Sequence, residues 1–282
     1  MNAWSGGGGN TTHRTPVAPN AMSSTTAPNP LAVAWSIMRA QRSRRPQPGG
    51  TGTADHAALA PVLDAVASDG VAALPDMRTD LDRYRKQLEA VDPDSLSREH
   101  SLAYWLNLYN AGALDVAAEA AVSGAPTVLR VRGGFGRPWA TVAGEDLSLA
   151  AIEHGKIRRF GDPRIHGALV CGSASCPTLR AVPYTGDAVD TQLDEQLRSF
   201  LRRGGALVDR SAGVIRLSRI FLWYGADFVR PHRMPTWRPA GKRRVLRAVT
   251  PWLPADIASD VAADTLAPAL QPYDWSLACS VG

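Results

Sequence analysis

Leu59, Val62, Leu63 and Val66 recur three and four positions apart behind Asp55, which predicts a helix over residues 55–71 with that aspartate as its cap. A second helical pattern covers residues 79–91. The longest runs over 97–122, opening on Ser97 as N-cap and stopping at Gly124 and Pro126. The period then changes. Residues 128–132 and 139–147 alternate around Gly133-Gly134 and Gly144-Glu145-Asp146, a hairpin signal. Residues 148–160 read as a short helix opened by Ser148. Residues 165–170 are a continuous apolar run behind Asp162-Pro163, predicted as a buried strand that ends near Cys171, where Gly172, Ser173 and Ser175 break the pattern. Residues 190–201 place Leu193, Leu197, Phe200 and Leu201 on one helical face. Strands at 208–209 and 214–217 flank Ser211-Ala212-Gly213, and Ser218 caps a helix over 218–228. Helices near 242–252 and 255–263 complete the chain. The class is α+β: a helical N-terminal half packed on a small, mostly antiparallel sheet. There is no internal repeat and no glycine-rich phosphate loop after a strand.

Composition divides the chain in two. The 282 residues are 45% hydrophobic, enough for a sizeable core, expected as a single domain over residues 51–282. Residues 1–30 are mostly Gly, Ser, Thr, Asn and Pro and cannot bury enough surface to offset chain entropy, so residues 1–50 are expected to be a disordered basic tail. Within it, an apolar patch at 31–38 precedes Arg39, Arg42, Arg44 and Arg45. This order is the reverse of a signal peptide, and the patch is too short to span a bilayer, so a cytoplasmic location is expected. Trp35, Ile37 and Met38 with those arginines would suit weak contact with an anionic membrane surface, in competition with a solvated tail. The three cysteines, an odd number, argue against a disulfide-stapled secreted domain. The formal charge of +5 draws on the tail and on Arg230, Arg233, Arg238, Lys242, Arg243, Arg244 and Arg247. Without a zinc finger, a helix-turn-helix signature or interleaved aromatics, that second cluster reads as a solvated helix face, and no specific nucleic-acid partner is expected.

Candidate chemistry concentrates at Arg164 to Pro177, which holds Cys171, Cys176 and His166. Pro177 suits the first position of a helix, which would put Cys176 at the N-cap, where unpaired N–H groups lower a thiol pKa from about 8.5 towards neutrality. The competing readings are a small buried hydrophobe and a redox pair. The spacing is not Cys-x-x-Cys and nothing completes a zinc site, so neither metal nor cofactor is expected. Three other groups interrupt apolar patterns: Asn107 and Asn110 beside Tyr109, Glu153 beside His154, and Trp223-Tyr224 ahead of Asp227. Each alone is a weak signal, because such residues more often serve as structural ties.

Together these groups resemble the family known as domain of unknown function 547. The resemblance rests on Trp105-Leu-Asn107-Leu-Tyr109-Asn110, Ile152-Glu153-His154 with Arg158, and Asp162-Pro163-Arg164-Ile-His166. It continues through Cys171-Gly172-Ser-Ala-Ser175-Cys176-Pro177, Trp223-Tyr224-x-x-Asp227-Phe228 and Tyr273-Asp274-Trp275-Ser276-Leu277, covering about residues 55–278. The family's last motif usually closes on Asn where this chain has Ala278. Plant members lack the second cysteine, which shifts weight towards Cys171. The family's name implies no activity.

The first functional expectation is a cysteine-dependent acyl-transfer enzyme, a hydrolase or transferase acting on an amide or ester in a small-molecule or peptide substrate, on a papain-like or transglutaminase-like constellation. Cys176 is the favoured nucleophile, with Cys171 close behind. His154, beside Glu153, is the favoured base, and His166 competes with it. Asn107 or Asn110 would orient the imidazole or donate to an oxyanion. Arg164 or Arg158 would hold a substrate carboxylate, with Tyr109, Trp223 and Tyr224 lining the site and Asp227 bracing a loop or an arginine. The alternatives are a non-catalytic binding or scaffold module built on a buried polar network, and a thiol redox protein using Cys171 and Cys176.

Overall fold

The computed structural model describes residues 35, 38–236 and 238–282. Expectations for residues 1–34 and for Ile37 fall outside the described residues. Residues 40–50, assigned from composition to the tail, lie against the domain. Arg159 donates to the carbonyls of Ser43 and Gln41 at 3.2 and 2.6 Å, Lys156 donates to that of Arg44 at 2.6 Å, and Arg44 pairs with Asp94 at 2.8 Å. Gly155 permits the close approach, since a Cβ there would stand 2.0 Å from Ser43 Oγ. Carbonyls and one ion pair, which apolar patterning does not register, fasten this segment to the domain.

Helix α1 (Ala60–Asp69) follows a 3-10 turn, with Asp55 accepting from the Ala57 N–H at 2.8 Å. Helix α2 (Arg78–Glu89) and helix α3 (Arg98–Val122) come next, and Ser97 caps α3 as predicted. Helix α3 is buried on every side from Ser101 to Leu114, the mark of a central helix. Strands β1 (Pro138–Val142) and β2 (Glu145–Ser148) form an antiparallel hairpin that turns at Ala143 and Gly144, both at positive φ. From β2 the chain enters α4 (Leu149–Ala151), then a π turn (Ile152–Lys156) and a 3-10 turn (Ile157–Phe160). Helix α5 (Val189–Phe200) bridges the two halves of the core, giving Val189 and Leu193 to one and Leu197 and Phe200 to the other. Strands β3 (Ala206–Asp209), β4 (Val214–Leu217) and β5 (Ala267–Leu270) make a second sheet in which β5 runs parallel to β4. Short helices α6 (Ile220–Trp223) and α7 (Gly225–Val229) are followed by α8 (Lys242–Val249) and α9 (Ala255–Ala262). The class is α+β, with two small sheets in place of one. Among the described residues, no helix is long and apolar enough to cross a membrane.

Four expectations are corrected. Residues 128–130 form a 3-10 turn and not a strand. The apolar run after Asp162-Pro163 opens as a 3-10 turn, Pro163–Gly167, because that dipeptide is a helix-start signal: Asp162 caps the Arg164 N–H at 2.9 Å. No helix follows Pro177. The backbone there is satisfied by the returning C-terminal segment, with Ala174, Ser175 and Leu179 donating to the carbonyls of Ser276, Asp274 and Ser280 at 2.9, 3.2 and 2.8 Å. The helix expected over 218–228 breaks at Tyr224. Gly225 there lets α7 approach α8, since a Cβ would meet Val245 Cγ2 at 2.7 Å.

Candidate functional site

A buried polar network lies between α3, the helical run over 152–160 and α7. Tyr109 donates to Glu153 Oε2 at 3.2 Å, and Tyr224 donates to the same carboxylate. Arg158 grips Asp227 with Nε and Nη2 at 2.9 and 3.0 Å, and His166 Nε2–H donates to Asp227 at 2.9 Å. The His166 ring stacks on Tyr224, with centroids 4.2 Å apart. Burial and the Arg158 charge push His154 down to about 4 against the pull of Glu153, so the imidazole is neutral at pH 7. Its Nδ1 lies 3.4 Å from Arg158 Nη1, which has only protons to offer, so Nδ1 accepts and the ring proton sits on Nε2. Glu153 Oε1 is 3.5 Å from that same unprotonated nitrogen. The adjacent acid and imidazole are therefore neighbours without being a hydrogen-bonded dyad. Burial opposes the Asp227 charge, and His166 and Arg158 overcome it, holding the carboxyl at about 2.

The cysteine turn abuts this network through Tyr273. Cys171 and Cys176 form a disulfide across a turn in which Gly172 adopts φ 74°, a conformation open to glycine. The Cys171 N–H points at Cys176 Sγ at 3.0 Å, and Ser173 Oγ lies 3.0 Å from Cys171 Sγ and 3.4 Å from Cys176 Sγ. The Tyr273 hydroxyl stands 3.4 and 3.3 Å from the two sulfurs and 3.0 Å from Ser173 Oγ. Burial pushes that hydroxyl up to about 12. Two features hold the turn. Asn110 accepts from the Val170 N–H at 3.1 Å while donating to the Ala168 carbonyl at 3.1 Å, and Ser173 bridges to Leu277. The disulfide faces a cavity of about 390 Å³, whose wall includes Cys176, Ser218, Gln271 and the free thiol Cys279, pushed up to about 12 by burial.

Residues 93–201 match the family model described as "Protein of unknown function, DUF547". Over this segment the chain resembles the DUF547 family. The match runs from just before α3 to the end of α5 and takes in both cysteines, Asn107, Asn110, Glu153, His154, Arg158 and His166. Asp227 and Tyr273, which complete the buried network and the cysteine turn, lie outside the matched DUF547 segment. No curated protein and no solved structure matches the chain, so the papain-like expectation gains no support from them.

The DUF547 segment thus brings together most of the residues singled out from sequence, in two adjoining groups. Cys171 and Cys176 are bonded to each other, and the helix-cap argument for Cys176 lapses with the absent helix; an N–H donor to its sulfur takes that place. His166 lies on a 3-10 turn with its ring turned to Asp227, not on a strand. Among the described residues, neither His154 nor His166 hydrogen-bonds a sulfur. Asn107 and Asn110 clamp backbone, the former holding both the N–H and the carbonyl of Tyr184 at 3.0 and 2.7 Å. Arg164 is bonded to Asp162 and Asp190, and Arg158 to Asp227, which is where the expected bracing by Asp227 goes. Trp223 lies on the surface in a cluster with Tyr273 and Trp275, centroids 4.5 to 5.6 Å apart. Tyr273 and Ser173 are absent from the expected site, although both stand within the motifs that carry the family resemblance. No metal-type cluster of His, Cys, Asp or Glu occurs among the described residues.

Proposed function

We propose that the chain is a thiol–disulfide oxidoreductase in which Cys176 meets the substrate and Cys171 resolves the intermediate. The observation that carries this reading is a Cys171–Cys176 disulfide whose Cys176 lies in a cavity wall, with the Cys171 N–H aimed at Cys176 Sγ. In the dithiol form that N–H and the nearby hydroxyls donate to a Cys176 thiolate, and donors to the charged form lower a thiol pKa. The thiolate attacks one sulfur of a substrate disulfide, forming a mixed disulfide and expelling the first substrate thiolate. Cys171 then attacks Cys176 Sγ and expels the second. Two electrons pass to the substrate, and the two protons of the dithiol end on the products.

The test equilibrates the full chain in buffers of graded thiol-to-disulfide ratio, quenches with acid and counts free thiols by alkylation and mass spectrometry. Two thiols should appear together and reversibly, with far-UV circular dichroism unchanged, and Cys176 in the reduced protein should alkylate with a midpoint below the ordinary about 8.5. A disulfide that yields only after denaturation, or two cysteines with ordinary midpoints, overturns the proposal.

The same N–H favours a second reading, acyl transfer by the reduced protein. Cys176 would attack the carbonyl carbon of an amide or ester, release the amine or alcohol, and pass the acyl group from the thioester to water or another acceptor. The Cys176 proton would pass to solvent, and Tyr273, whose hydroxyl stays protonated, would donate to the departing amine or alcohol in place of His154 or His166 and be reprotonated by water. Hydrolysis of activated esters by the reduced chain, lost in Cys176→Ser, separates this from redox chemistry. If both assays are silent, the buried network is a scaffold and not an active site.

A further inference from the structure

Arg203 is the one charged side chain in the wall of the cavity that the disulfide faces. It sits in the middle of a π turn, Leu201–Gly205, directly before Gly204, which leaves helical geometry at φ 128°. Among the described residues its guanidinium has no hydrogen-bond or ion-pair partner, whereas Arg158, Arg159 and Arg164 are each held by two or more groups. No Asp or Glu side chain lines the cavity, and the guanidinium packs against Gly282, where a Cβ would stand 2.7 Å from Nη1. The hydroxyl and amide side chains there, Ser173, Ser175, Thr178, Ser218, Gln271 and Ser280, are neutral. The volume of about 390 Å³ lies at the low end of the range for small-molecule sites, roughly 300–1,000 Å³, and does not admit a folded protein.

We propose that the redox partner of the Cys171–Cys176 pair is a small thiol or disulfide bearing a carboxylate, which Arg203 binds while the sulfur meets Cys176. The inference rests on the thiol–disulfide reading above. An incoming thiolate attacks Cys176 Sγ and expels the Cys171 thiolate, which takes a proton. A second thiolate attacks the sulfur of the bound thiol, releases the small disulfide and leaves Cys176 as thiolate, so two electrons enter the protein and one small disulfide leaves. The guanidinium, with its fork of N–H donors, suits a carboxylate better than a point charge would.

The experiment measures reduction of the oxidised full chain by 3-mercaptopropionate, 2-mercaptoethanol and cysteamine, which are anionic, neutral and cationic, with rates expressed per thiolate. In the wild type the anionic thiol should exceed the neutral one by about three- to five-fold, the size of an exposed ion pair, and the cationic thiol should be slowest. The anionic-to-neutral ratio should fall to about one in Arg203→Gln, drop below one in Arg203→Glu, and shrink in high salt. Equal rates for the three thiols, or a preference that survives Arg203→Gln, overturn the assignment of Arg203 and leave the redox reading standing. If none of the three reduces the disulfide in the folded chain, the redox reading itself fails and this inference with it.

Discussion

Replacing Asp227 by Asn tests the buried network where it is most tightly coupled. Asp227 is fully buried and Arg158 is 2% exposed. The carboxylate accepts from Arg158 Nε and Nη2, from His166 Nε2 and from the Thr236 N–H at 2.9, 3.0, 2.9 and 3.2 Å. Asn keeps the shape but removes the charge bonded to the guanidinium and turns an NH2 group towards donors. Loss of one partner from such a pair costs about 3–5 kcal/mol. At roughly 2–4 °C per kcal/mol for a domain of this size, Tm falls by about 6–20 °C. Protonating the same carboxyl should cost less. Its folded pKa is held at about 2 against an ordinary 3.8, so its contribution, about 2 kcal/mol, is complete above 3.8 and is lost as pH falls through 2. The smaller figure follows because a protonated acid still offers both oxygens as acceptors. Urea unfolding of the wild type, Asp227→Asn and the double variant Arg158→Met, Asp227→Leu measures the coupling, and the double variant should recover much of the loss. An Asp227→Asn protein within about 1 kcal/mol of wild type, or a double variant no better than the single, refutes the reasoning.

Four further outcomes are expected. Burial pushes His56 down to about 4, so its imidazole stays neutral in the fold while the unfolded chain takes a proton below about 6.5; stability should fall by about 3 kcal/mol between pH 6.5 and 4, and His56→Gln should flatten that dependence in urea titrations. Gly172→Ala should destabilise by about 2–4 kcal/mol, because φ is 74° and the new Cβ would meet Val128 Cγ1 at 2.9 Å; unchanged chemical denaturation would contradict this. Asn110→Ala should cost about 2–3 kcal/mol by stranding the Ala168 carbonyl and the Val170 N–H, and should speed reduction of the disulfide by loosening the strand of chain that leads into Cys171. Tyr273→Phe removes a donor to both sulfurs, so the alkylation midpoint of reduced Cys176 should move to higher pH; no movement would mean the hydroxyl does not sense the thiolate.

Elements with strong periodicity or explicit caps were legible in the sequence. Ser97 caps α3, Ser148 caps α4, and the hairpin at Gly144 forms where the turn residues placed it. The apolar run 165–170 was misread because burial on all sides erases the difference between a strand and a helical turn, leaving Asp162-Pro163 as the deciding signal. Cys176 was misplaced for another reason: the groups that satisfy its neighbours come from residues 274–280, a hundred positions away, which no local rule sees. Glu153 and His154 looked like a dyad because they are adjacent, yet Arg158, one helical turn on, occupies the nitrogen that a dyad needs. Asn107 and Asn110 were visible as buried amides, but not as clamps on Tyr184 and on the Ala168–Val170 backbone. The proximity of cysteines and polar network was legible only as a set of motifs in sequence order.

The strap over residues 40–47 bears on how the protein is handled at the bench. Composition invites an expression boundary at residue 51, but such a shortened protein would lose the Arg44 carbonyl from an ammonium, Lys156, that is only 4% exposed and whose other partner is Glu145. It would also uncover Gly155, the residue directly after His154, and strip the two carbonyls that hold Arg159. Trimming what looks like a dispensable leader would therefore hydrate the back of the very turn that carries Glu153, and any loss of thiol chemistry in such a protein would report on that injury and not on the cysteines.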